Sequence, residues 1–152
     1  MHGSTLLIGY GNPGRGDDGL GPAFARRIDS HRLPDLTVEI DYQLTVDHAL
    51  MIASAETVIF ADAAVDADSP FYFRLLGETA ACSLDSHSLS PQSALSLSRL
   101  LFGTAARGFI MGLRGETFGE MAEGLSEAAL ASLTCAEAYF LEWYAQGRPY
   151  SA

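Results

Sequence analysis

Basic side chains are scarce in this 152-residue chain: nine Lys and Arg stand against nineteen Asp and Glu, a net charge of −10. The isoelectric point falls near 4.6. A nucleic-acid binder needs a basic footprint, and so does a protein that docks on an anionic membrane, so the charge balance argues against both classes. A cationic or metal-bearing partner stays compatible. Cysteine is scarcer still, with only Cys82 and Cys135. They are far apart, form no metal-spaced pair and cannot make a disulfide framework, which points to a reducing, cytoplasmic setting. Long apolar runs are missing as well. Leu100 to Leu113 is the best candidate span, and Arg107 and several glycines break it. The N-terminus lacks a basic stretch leading into an apolar one, so no signal peptide is expected. With no repeat, linker or low-complexity segment, residues 1–152 read as a single domain.

What the chain does have is a glycine-rich turn after an apolar run. Leu6-Leu7-Ile8 leads into Gly9-Tyr10-Gly11-Asn12-Pro13-Gly14-Arg15-Gly16-Asp17-Asp18-Gly19, and a helical pattern follows. The glycines let the backbone take positive φ and approach a partner closely. Two acids at a helix N-terminus suit the helix dipole but make a poor phosphate cradle. The loop therefore reads as one that offers carboxylate oxygens. Gly9, Gly11 and Gly14 also satisfy the dinucleotide-binding pattern to the letter. Pro13, Arg15 and Gly16 delay the helix, however, and Asp17-Asp18 would repel phosphates, which argues against a nucleotide site.

The remaining periodicities alternate strand and helix. Strands are expected at Thr5–Gly11, Leu36–Leu44, Thr57–Ala61, Phe71–Leu76 and Arg107–Leu113. Helices are expected at Gly19–Ser30, Val46–Ala55, Pro91–Phe102 and Ser126–Ala145. Ser90 caps the third of these, with Pro91 at its first position, and Ser126 caps the last. Glu78–Ser90 and Arg114–Gly124 read as irregular, and Gly147–Ala152 as a loose tail. Such alternation implies an α/β fold: a doubly wound α/β/α sandwich with a mostly parallel five-stranded sheet, of phosphorylase/hydrolase-like type. Right-handed crossovers make 2-1-3-4-5 the simplest strand order, with a crevice at the switch point between strands 1 and 3.

In that arrangement Asp17 and Asp18 follow strand 1, Asp62 ends strand 3, and Asp85-Ser86-His87 follows strand 4. All would reach the same carboxyl edge. Asp18, Asp62 and His87 together suit a divalent ion through two oxygens and one nitrogen. Each also has a plainer reading. Asp18 could be a solvated acid of a first helical turn, Asp62 a turn former, and His87 a loop histidine bonded to Ser86 or Ser88. Of the other histidines, His2 is terminal, His31 sits near a helix C-terminus where a cationic ring is favoured, and His48 reads as a surface residue beside Asp47. A Cys82–His87 nucleophile pair lacks a positive field to activate the thiol. Cys135, Tyr139, Phe140 and Trp143 read as packing residues of the last helix. The tripeptide Arg15-Gly16-Asp17 is too short to carry meaning.

Taken in order, these segments resemble the endopeptidases that mature nickel–iron hydrogenases. The likeness runs through Leu7-Ile8-Gly9-Tyr10-Gly11-Asn12-Pro13-Gly14-Arg15-Gly16-Asp17-Asp18-Gly19-Leu20-Gly21, then Tyr42-Gln43-Leu44-Thr45 and Val58-Ile59-Phe60-Ala61-Asp62-Ala63. It continues through Ser86-His87-Ser88-Leu89-Ser90-Pro91, Phe118-Gly119 and Gly124-Leu125-Ser126. The resemblance implies an aspartic-type endopeptidase that clips a C-terminal extension from the precursor of a hydrogenase large subunit once nickel is in place. It implies Asp18, Asp62 and His87 as the metal-contacting triad, with Asp18 and Asp62 as the catalytic acids and Asp17 outside the set. The family fills the Asp18 position with Glu or Asp. Nickel would arrive with the substrate, and no tightly bound cofactor of the protein's own is expected. Two other readings remain. Gly9-Tyr10-Gly11-Asn12-Pro13-Gly14 also resembles the opening of peptidyl-tRNA hydrolases, but the acidic balance and the lack of a histidine in the next dozen residues oppose it. A nickel-sensing chaperone that holds the large subunit without cutting it would share the same triad.

Overall fold

Side chains alternate along the central strands, and that alternation sets the layers. In β1 (Thr5–Tyr10), Leu6 and Ile8 face one way and Leu7 the other. In β3 (Thr57–Ala64), Val58 and Phe60 oppose Ile59 and Ala61 in the same manner. All of these are buried, so both faces of the sheet must be covered. The structure is a computed structural model, and it describes residues 3–65, 67–77, 89–119 and 123–149.

The other strands are β2 (Leu36–Asp41), β4 (Phe71–Leu75) and β5 (Arg107–Arg114). The helices are α1 (Leu20–Asp29), α2 (Val46–Ala53), α3 (Pro91–Phe102) and α4 (Glu127–Ala145). Helices α1 and α4 pack over Leu7, Ile59, Phe109 and Met111. Helices α2 and α3 cover Leu6, Ile8, Val58 and Phe60. On the α4 side, Trp143 meets Phe73 and Phe109 edge-on at 4.8 and 5.1 Å between ring centres, and Phe140 meets Phe24 at 5.6 Å. The aromatic residues of the last helix are therefore packing residues, as the sequence implies. No helix among the described residues is long and apolar enough to cross a membrane.

The sheet confirms the α/β/α class and corrects the strand order. The order is β2-β1-β3-β5-β4, with β4 antiparallel to β5 at the edge. The simplest order put strand 4 beside strand 3. A parallel crossover needs a dozen or more residues. Residues 65–70 between β3 and β4 are too few, so β5 takes the place beside β3 over eight registered pairs. The switch point between β1 and β3 survives the correction, because β2 still lies on one side of β1 and β3 on the other.

Contact between α1 and the sheet is backbone to backbone. A Cβ at Gly21 would lie 2.3 Å from the Tyr10 carbonyl oxygen and 2.5 Å from that of Ala61. A Cβ at Gly9 would lie 2.3 Å from the Gly21 carbonyl oxygen. The first turn of α1 thus sits directly on the carboxyl ends of β1 and β3, which fixes where the residues just before it can go.

Two side chains depart from their expected places. Cys135 lies on the exposed side of α4, not in the core. His48 is buried rather than on the surface. Its Nδ1 accepts the Thr45 N–H at 2.9 Å, which puts the ring proton on Nε2, 3.6 Å from Asp41 Oδ2. The imidazole stands in for the usual carboxylate of a helix cap and joins the start of α2 to the end of β2. His48→Ala is expected to cost about 1–2 kcal/mol in urea unfolding, through the lost cap and the space left behind.

Candidate active site

Two acids that are neighbours in sequence have opposite fates. After β1 the chain turns at Gly11, whose φ of +146° favours glycine, and a Cβ there would lie 2.0 Å from the Asp18 carbonyl oxygen. Asn12 caps a short 3-10 turn by accepting the Gly14 N–H on Oδ1 at 2.9 Å. A second 3-10 turn, Asp17–Gly19, then leads into α1. The expected helix start at Gly19 is thus correct to within one residue, and the two acids occupy the turn that precedes it.

Asp17 is fully buried. Its Oδ2 accepts the N–H groups of Glu116 and Thr117 at 2.7 and 2.9 Å and the Ser126 hydroxyl at 2.6 Å, and its Oδ1 accepts the Ser126 N–H at 2.8 Å. Burial alone would raise its pKa. The hydrogen bonds from Ser126, Thr117 and Glu116 outweigh that and hold the carboxyl below the usual carboxylate range. Ser126 also caps α4 by accepting the Ala129 N–H at 3.1 Å. One carboxylate thereby fastens the loop after β5 and the start of α4 to the β1 loop. Both of its oxygens are consumed internally, so the expectation that this loop presents two carboxylates is corrected to one.

Asp18 is that one. It is half-buried, and its Oδ2 accepts the Asn12 N–H at 2.8 Å. Asp62 stands opposite, inside β3 rather than just past its end, because the strand runs on to Ala64. Asp62 Oδ1 accepts the Ala63 N–H at 2.8 Å. Burial pushes the Asp62 carboxyl up to about 6; hydrogen bonding by Ala63 and Tyr10 opposes this, and the negative charge of Asp18 adds to it. The structure therefore brings Asp18 and Asp62 together at the carboxyl edge, on either side of the switch point.

Two tyrosines that the sequence left unmarked complete the edge. Gly9 pairs with Ala61, so the next residues along, Tyr10 and Asp62, lie side by side on the α2–α3 face. Burial first, and then the Asp62 carboxylate, push the Tyr10 phenol above its ordinary range. Asp62 is in register with Gly112, and Gly112 with Tyr72. The Tyr72 ring lies across Gly112, where a Cβ would come within 2.1 Å of Cζ. The Arg74 guanidinium stacks on that ring at 4.1 Å. Alternation placed each tyrosine on a strand. Only the register, with a glycine between, brings the second one toward Asp62.

His87 lies outside the described residues, as do Cys82, Asp85 and Ser86. Strand β4 does not lead to this edge, contrary to the parallel placement that the simplest strand order implies. Strand β4 runs antiparallel and ends at the amino edge, where the Leu76 N–H donates to the Gly108 carbonyl at 2.7 Å. The described chain resumes at Leu89, whose N–H donates to the Leu44 carbonyl at 3.1 Å just past the carboxyl end of β2. That anchor, two residues after His87, is at the edge where Asp18 and Asp62 meet. Among the described residues no group of three or more His, Cys, Asp or Glu side chains could hold a metal ion. Of the remaining histidines, His31 pairs with Glu137 at 2.7 Å, far from the site.

The raised Asp62 has a consequence for stability. An acid whose native pKa exceeds its unfolded one favours the folded state fully below the unfolded value, and that contribution is lost as pH rises through the native value. For Asp62 the loss falls between about pH 4 and the native value of about 6. Asp62→Asn is expected to be more stable than the parent by about 2 kcal/mol at pH 8 and indistinguishable at pH 4, measured by urea unfolding.

No protein-family model matches the chain, and no curated protein does. Solved structures do. The nickel–iron hydrogenase maturation protease HycI from Thermococcus kodakarensis KOD1 superposes with a TM-score of 0.67 at 22% identity, over 95% of this chain and 92% of that one. The hydrogenase-maturating endopeptidase HybD from E. coli gives 0.68 at 21% identity, over 95% and 94%. A hydrogenase 2 maturation peptidase from Thaumarchaeota archaeon SCGC_AB-539-E09 gives 0.66 at 21%, over 96% and 99%. Over almost its whole length, this chain has the fold of the hydrogenase maturation proteases.

Proposed function

We propose that the protein is an endopeptidase that removes a C-terminal extension from the nickel-loaded precursor of a nickel–iron hydrogenase large subunit. The observation that carries this reading is the meeting of Asp18 and Asp62, from separate elements, at the switch point of a fold shared with HycI and HybD. Nickel belongs to the substrate, and the protein needs no tightly bound cofactor of its own. Asp18, Asp62 and His87 contact the ion, since nickel accepts both oxygen and nitrogen ligands. Recognition of the inserted metal then couples cleavage to completed assembly. This work is done in the cytoplasm, where a reduced Cys135 is at home.

Within the pair the roles differ. Asp18 has one oxygen fixed by the Asn12 N–H and offers the other as an oriented ligand. Asp62, with its carboxyl pushed up to about 6, is matched to taking a proton from water near neutral pH and returning it to the leaving nitrogen. A peptidyl-tRNA hydrolase is disfavoured by the net charge of −10 and by the two acids at the cleft. A nickel-sensing chaperone predicts binding without turnover.

Intact-mass analysis of nickel-loaded and nickel-free precursor, before and after incubation with the protein, tests the proposal. A discrete C-terminal peptide is expected to be lost from the nickel-loaded form alone. Asp18→Asn and Asp62→Asn are each expected to slow that loss by about 100-fold or more. Full rates in both variants would contradict the assignment. Tight binding of the nickel-loaded precursor with no cleavage by the parent protein would favour the chaperone.

A further inference from the structure

The two acids at the cleft create a problem for the chemistry just proposed. Hydrolysis of a peptide places negative charge on the carbonyl oxygen, and the Asp18 carboxylate beside it would repel that charge. A hydrogen-bond donor has to face the same spot. The nearby backbone donors are committed: the Asn12 N–H goes to Asp18 and the Ala63 N–H to Asp62. The Tyr10 hydroxyl interacts with Asp62. The Tyr72 hydroxyl makes no hydrogen bond to any described residue. It lies 2.6 Å from the position a Gly112 Cβ would occupy. Gly112 is in register with Asp62 on the adjacent strand, one strand spacing of about 4.8 Å away. Tyr72 is only half-buried, and on its Arg74 side it borders a cavity of about 320 Å³ that Pro91 and Gln92 also line.

We propose, building on the endopeptidase reading, that Tyr72 is the oxyanion donor of the reaction and that Gly112 is the gap through which its ring reaches the reacting carbonyl. The water oxygen bonds to the carbonyl carbon while one of its protons passes to Asp62. The C=O π pair moves onto the carbonyl oxygen, which accepts the Tyr72 O–H hydrogen bond. The pair then returns to re-form C=O, the C–N bond breaks, and the proton on Asp62 moves to the leaving nitrogen. Tyr72 keeps its own proton throughout. Its stack under Arg74 holds the ring still, so the donor is oriented before charge develops.

The test is single-turnover cleavage of the nickel-loaded precursor, with precursor affinity measured in parallel by calorimetry. Tyr72→Phe removes the hydroxyl and keeps the ring. It is expected to lower the cleavage rate by about 100-fold, as the loss of one oxyanion donor does elsewhere, with affinity changed less than about twofold. Gly112→Ala keeps the hydroxyl but displaces the ring, and is expected to show the same split between rate and affinity. Parent-like cleavage by Tyr72→Phe overturns the proposal and leaves the endopeptidase reading intact. A loss confined to affinity also overturns it, by making Tyr72 a binding residue only. If the parent protein binds the nickel-loaded precursor and never cleaves it, the endopeptidase reading fails and this proposal fails with it.

Discussion

The buried carboxylate of Asp17 is the interaction on which the rest of the site depends. It satisfies three backbone N–H groups and a hydroxyl from two segments that are remote in sequence, residues 116–117 and Ser126. A buried charge is costly unless it is paired or fully hydrogen-bonded, and here hydrogen bonds supply the whole compensation. The partners have no comparable alternative: a loop after β5 and the first turn of α4 would otherwise hold unsatisfied donors. The knot therefore joins the β1 loop, the end of β5 and the start of α4 into one unit. The glycine contact of α1 on β1 and β3 presses the same loop from the other side.

Rigidity bought at Asp17 serves its neighbour. Asp18 projects from a turn whose ends are both tied down, so its oxygen needs little reorganisation to meet a ligand. Asp62 is set differently, by burial within a strand beside Tyr10 and across from Asp18. Three acidic positions in one small region thus have distinct environments: one ionised and consumed by hydrogen bonds, one oriented and accessible, one whose carboxyl is pushed up to about 6 by burial. Separating acids by environment in this way is what general acid–base chemistry near neutral pH requires.

Much of this was legible in the sequence, and the limits have physical causes. Strand and helix content followed from periodicity, and the switch point followed from β1, β2 and β3 alone. The position of β4 did not, because alternation in Phe71–Leu76 marks a strand without saying which neighbour it pairs with or in which direction. The short link through residues 65–70 was the available clue. A polar residue early in a helix is usually solvated, so residue type alone puts His48 on the surface; its use as a cap rests on the Thr45 and Asp41 contacts. Asp17 and Asp18 could not be told apart by residue type. Which acid is consumed depends on segments about a hundred residues away. Tyr10 and Tyr72 were invisible for a related reason, since register, not local pattern, brings them beside Asp62.

Urea unfolding of Asp17→Asn and Asp18→Asn, side by side with the parent protein, tests most directly whether one acid holds the site together and the other is left free to act. An amide at position 17 keeps the shape but sets its N–H₂ against donors that need an acceptor, so a loss of about 3 kcal/mol is expected. The same change at position 18 is expected to stay within about 0.5–1 kcal/mol of the parent. Equal stability of all three proteins, or a larger loss at Asp18 than at Asp17, would contradict the account.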